Sequence, residues 1–70
     1  MQTQSAPAQF LRLPTVIDRT GLSRSSIYRH EAEGTFPRRV KIGANASAWL
    51  ASDIDRWITA RVAASRGGEA

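Results

Sequence analysis

Apolar and polar positions change their spacing twice along the chain, from helical to alternating and back to helical. Leu13, Val16 and Ile17 fall at i, i+3 and i+4, the buried face of a short helix. Pro14 suits the first turn of that helix, where its missing N–H costs nothing, and Gly21 ends it after two turns. Leu22 and Ser23 complete a tight connection, with the Ser23 hydroxyl able to cap a second helix over about Arg24 to Glu33. Gly34 stands where a left-handed residue closes a helix, and Pro37 prevents continuation. Two short helices joined by a three-residue turn containing Gly form a helix-turn-helix.

Beyond Pro37 the spacing becomes two. In "RRVKIG", Val40 and Ile42 point to one side and Arg39 and Lys41 to the other, the pattern of a half-buried strand. Gly43, Ala44 and Asn45 supply a turn, and Ser47 to Leu50 a returning strand. Such a hairpin is marginal alone and has to pack on the helices. Helical spacing returns with Ile54, Trp57, Ile58 and Val62, a stripe that also contains Arg61. Ser52 to Asp55 resembles a capping box, and its acids suit the positive end of a helix. The predicted fold is mainly α with a small β-hairpin: a winged helix-turn-helix of helix, turn, helix, two-stranded wing and C-terminal helix. It occupies residues 10–65, between a flexible lead-in (1–9) and a flexible tail (66–70).

Turning the second helix by ~100° per residue from Ile27 leaves Ser25, Arg29 and Ala32 on the opposite, outward face. Tyr28 lies on one flank and Ser26 with Glu33 on the other, while Arg24 stands at the helix start. The outward set has the chemistry of groove recognition. Small hydroxyls let the backbone approach, arginine donates twice to a guanine edge, and a helix N-terminus attracts phosphate. Arg39 and Lys41 add a second basic strip on the next element. The inward side is unexpectedly polar, with His30 and Glu31 beside Ile27. His30 has no Ser, Asp or Cys partner at a telling spacing and reads as structural. Glu31 and Arg61, each inward on its own helix, are expected to pair with one another.

Charge sharpens this picture and composition narrows it. Ten Lys and Arg against six Asp and Glu give a net charge of +4, and all the cations but Lys41 are arginines, which suits a polyanionic partner. Cysteine is absent and there is a single His, so disulfides and ordinary zinc sites are excluded. No nucleophile–base pair, metal cluster or phosphate-binding loop is present, so no catalytic residue, metal or cofactor is assigned and an enzyme is not expected. No apolar run approaches the ~20 residues of a membrane-spanning helix, and the N-terminus has no secretory pattern.

Three segments in combination, "TGLSRSSIYR", "GTFPRRVKIG" and a Trp shortly before "SDIDRWI", make the chain resemble the AlpA-type family of phage and prophage regulators. The likeness spans about Leu11 to Ala64. It implies a MerR-like winged helix-turn-helix, close in architecture to excisionases, that binds double-stranded DNA and regulates transcription in the bacterial cytoplasm. Carried over, "SRSSIYR" is the recognition helix, with Arg24, Ser25, Ser26, Tyr28 and Arg29 facing DNA. "RRVKIG" and its turn are the wing, where Arg39 and Lys41 meet the backbone. The family commonly has an Arg near Asn45; Asn45 itself can donate to a phosphate or read a minor-groove edge. It also commonly has apolar residues where His30 and Glu31 stand. A second copy of the chain and an integrase are further candidate partners. An excisionase-like factor that bends DNA during recombination is the alternative role. A protein-interaction module on the same scaffold, with the basic surface meeting an acidic partner, is a second alternative.

Overall fold

The computed structural model describes residues 9–67. In chain order these form β1 (Phe10–Leu11), α1 (Leu13–Thr20), α2 (Arg24–Glu33), β2 (Val40–Gly43), β3 (Ala46–Leu50) and α3 (Ala51–Gly67). Three helices and a small antiparallel sheet of order β1-β3-β2 make a mainly helical domain of the winged helix-turn-helix type.

The helix-turn-helix follows from its punctuation. Pro14 lies in the first turn of α1, and Gly21 closes it at φ 77°, a left-handed conformation that glycine adopts without a Cβ penalty. In the turn, the Thr20 hydroxyl donates to the Val16 carbonyl and accepts from the Leu22 N–H, at 2.7 and 3.2 Å. Ser23 then caps α2, its Oγ accepting the Ser26 N–H at 3.1 Å. Gly34 ends α2 at φ 81°.

One core gathers a side chain or two from each layer: Leu11, Val16, Ile27, Phe36, Trp49 and Ile54. Leu13, Ile17, Leu22, Trp57 and Ile58 close its edges. Both tryptophans also work as hydrogen-bond donors to the segment joining α2 to β2. Trp49 Nε1 donates to the Pro37 carbonyl at 3.1 Å and Trp57 Nε1 to the Thr35 carbonyl at 2.9 Å. The Trp57 ring meets Phe36 edge to face at 5.0 Å. A loop with no regular structure is thereby pinned at two carbonyls.

Several expectations need correction. The sheet has a third strand, β1, whose Phe10 and Leu11 pair with Leu50 and Trp49. Two residues are too few for any alternation to register, so the pairing is set by the partner strand. β3 begins at Ala46, which pairs with Gly43, so the turn shortens to Ala44 and Asn45. Ile42 is not on a buried face but 40% exposed. Register slips between Lys41 and Gly43, which oppose Ser47 and Ala46, and Ile42 is the extra residue of that bulge. Val62 is 43% exposed because α3 continues past the elements that cover its first turns. The helix begins at Ala51, so Ser52 lies within it rather than capping it. Asp53 does occupy its first turn, where it pairs with Arg56. Asp55 instead binds Arg19 and ties α3 to α1. Gln9, assigned to the lead-in, accepts a hydrogen bond from the Ala51 N–H at 2.8 Å, and α3 continues through Gly67. The rest of the assigned lead-in and tail lies outside the described residues.

Candidate nucleic-acid interface

α2 is polar over most of its circumference, and Ile27 is its one buried residue. Consequently one side of the helix is fixed and the other is free. Arg24, Ser25, Tyr28, Arg29 and Ala32 are exposed, while Ser26 is half-buried. Its hydroxyl accepts from the Ser23 hydroxyl at 3.1 Å, so Ser26 is partly committed to the cap. Ser25 and Arg29 are one helical turn apart and project together.

The wing carries its cations on the same side. Tyr28 and Ala32 of α2 line one cleft with Arg38, Arg39, Lys41 and Ser47. A neighbouring cleft shares Tyr28, Arg39 and Ser47 and adds Arg12 and Asn45. Tyr28 and Ala32 on the flank of α2 and the basic strip of the hairpin therefore line two adjoining clefts, whereas Arg24, Ser25, Ser26 and Arg29 line neither. Arg12, at the N-terminal end of α1, and Arg38 are the members that sequence reasoning did not single out. Arg12 precedes its helix, and alternation in "RRVKIG" puts Arg38 on the side of Val40 and Ile42 rather than with Arg39 and Lys41, so neither was marked by a periodic outward face.

Among the residues read from the sequence, Arg39 has the most developed surroundings. Its backbone N–H donates to Glu31 Oε2 at 2.7 Å, and its guanidinium lies 3.2 Å from Glu31 Oε1. The same guanidinium stands over the Tyr28 ring, 4.9 Å from its centroid. The side chain of Glu31 is only 10% exposed, against 45% for Arg39. Here the expected Glu31–Arg61 pair gives way to Glu31–Arg39. Glu31 faces the chain entering β2, whereas Arg61 lies over its own helix neighbour Trp57 at 5.4 Å. The polar inner side of α2 is thus satisfied rather than loosely packed. His30 completes it: its Nδ1 is 3.1 Å from the Thr35 hydroxyl and 3.6 Å from a Glu33 carboxylate oxygen, at the end of the helix. Lys41 and Asn45 are exposed on the hairpin. No group of three or more His, Cys, Asp or Glu able to hold a metal ion occurs among the described residues.

Residues 9–62 match the family model of the prophage CP4-57 regulatory protein, AlpA. The chain belongs to the AlpA family of prophage regulatory proteins. It is 36% identical over 69 residues to the DNA-binding transcriptional activator AlpA of Escherichia coli (strain K12), a match that covers 87% of this chain and 94% of the relative. It is also 42% identical over 60 residues to the uncharacterized protein ORF88 of Enterobacteria phage P4, a match that covers 86% of this chain and 68% of that protein. The AlpA model spans all six elements of the domain except the end of α3. Both the helix-turn-helix and the hairpin therefore lie within the residues that the family model matches. No helix among the described residues is long and apolar enough to cross a membrane.

Proposed function

We propose that this protein is a sequence-specific, double-stranded DNA-binding transcriptional regulator of a phage or mobile element, acting in the bacterial cytoplasm. α2 enters the major groove with Ser25 and Arg29 against base edges. Arg24, Ser26 and Tyr28 contact the phosphates and sugars beside them. Lys41 and Asn45 reach the backbone from the wing, with Arg39 at the junction of the two elements. The observation that carries this reading is the shared cleft, in which Tyr28 and Ala32 of α2 stand beside Arg38, Arg39 and Lys41 of the hairpin and its approach. A groove-filling helix and a backbone-tracking strip have to lie on one side of the molecule to engage one duplex. Membership of the AlpA family supports the same function, since one member is a DNA-binding transcriptional activator.

Selection of bound sequences from random duplexes, repeated at several salt concentrations, tests the proposal. A defined motif is expected, with log affinity falling against log salt at a slope of roughly −4 to −6, the release of counterions from about five phosphates. Failure to enrich any sequence would contradict it. A single domain of this size spans few base pairs, so two copies on repeated half-sites are expected. Bending of the selected site, read by circular permutation, would shift the role toward an excisionase-like architectural factor.

A further inference from the structure

The hairpin is poorly secured by apolar contact. β2 has no buried residue: Val40 is half-buried and Ile42 is the exposed bulge residue. It pairs with β3 on one side only, so the β2 edge depends on what holds its entry point. That point is Arg39, and Glu31 holds it twice, through the backbone N–H and through the guanidinium. Tyr28, one turn earlier on the same helix, covers the guanidinium with its ring. Two side chains of the groove-facing helix thus clasp the first residue of the wing. A carboxylate so little exposed makes stronger hydrogen bonds than one in water, and charge-assisted bonds of this kind are the more directional class.

From this geometry we infer that Arg39 is a positioning residue rather than one of the phosphate contacts, and that Glu31 is the residue that sets the angle between groove-reading helix and wing. The inference rests on the DNA-binding reading given above and assigns Glu31 a part in it that no sequence signal suggested. The mechanism is pre-organisation. With the clasp closed, a duplex that lets α2 reach its bases also meets Lys41 and Asn45 at fixed positions. With the clasp open, the wing moves independently, and its backbone contacts no longer depend on the groove contacts being correct. Discrimination between right and wrong duplexes falls, while general attraction to DNA persists.

The test compares the full chain with Glu31→Gln, Arg39→Gln and the double variant. Each is measured for the ratio of affinities for its selected duplex and a scrambled duplex, with thermal unfolding alongside. Either single substitution is expected to lower the ratio roughly tenfold, and the double variant to lower it no further than one of them, because both break the guanidinium–carboxylate contact. Affinity for the scrambled duplex changes far less than affinity for the selected one. A merely structural role predicts a lower melting temperature with the ratio intact, and that result overturns the inference. So do losses that add in the double variant, which would mean that Arg39 acts on DNA without Glu31. A wild-type chain with no preference among duplexes would defeat the DNA-reading function itself and the inference with it. Wild-type preference that survives in Glu31→Gln defeats the inference alone.

Discussion

The two elements that face DNA in this account, α2 and β2, are fixed by opposite means. α2 is held from beneath by one aliphatic anchor, Ile27, and at its ends by the Ser23 cap and the left-handed Gly34. β2 has no fully buried side chain and is held by hydrogen bonds: pairing with β3, the Glu31 clasp on Arg39, and the tryptophan donors that fix Thr35 and Pro37 just before it. Loss of an apolar anchor leaves a cavity that the whole small core feels. Loss of a polar tie frees one segment and leaves the core intact. Damage to the helix is therefore expected to be global, and damage to the wing local.

The largest effect expected is that of Ile27→Ala. Removing a fully buried isoleucine costs roughly 2–5 kcal/mol, most of what a core of this size supplies. Thermal or denaturant unfolding of this variant should show a chain largely unfolded near room temperature and unable to bind any duplex. Substituting wing residues should not do this, and a wing substitution that unfolded the domain would break the contrast.

Next comes Arg29→Ala, expected to leave unfolding unchanged and to cost roughly 1–3 kcal/mol of binding, with relaxed preference at one base pair. Repeating the duplex selection with this variant checks both. An unchanged motif and affinity would mean that the groove-facing side of α2 is misassigned. Ser23→Ala should cost about 1 kcal/mol of stability through the lost cap, read as a lower melting temperature. The smallest change belongs to Lys41→Ala, which should weaken all sequences about equally and make the salt slope shallower by ~0.9, one phosphate contact.

How much of this the sequence made legible depends on the kind of signal each element carries. The helix-turn-helix announced itself because Pro14, Gly21, Ser23 and Gly34 are chemical punctuation, each with a local mechanism that tertiary context rarely overrides. The exposed side of α2 followed from a single apolar residue, Ile27, and helical geometry. The hairpin was legible only in outline. Alternation in "RRVKIG" suggested a buried Ile42, but the bulge that turns it outward is a property of the pairing with β3 and leaves no mark in the strand itself. β1 was invisible for the same reason, its two residues being specified by Leu50 and Trp49 across the sheet. Glu31 shows the limit most plainly. Its position on the inward side of α2 was apparent, yet its partner lies eight residues on, across a loop whose path depends on Trp49 and Trp57. Helical spacing pointed to Arg61 on another helix. A loop pinned by distant indoles brought Arg39 there first.

On the proposed function, the exposed flank of α2 and the hairpin form one DNA-facing surface. Titration of the isotope-labelled chain with its selected duplex, followed by backbone amide chemical shifts, tests it most directly. The strongest shifts are expected in two stretches, residues 24–32 and 38–46, appearing together at the same DNA concentration, with the exposed end of α3 (residues 60–67) unaffected. Shifts concentrated on the end of α3, with the α2 and hairpin amides unmoved, would contradict it.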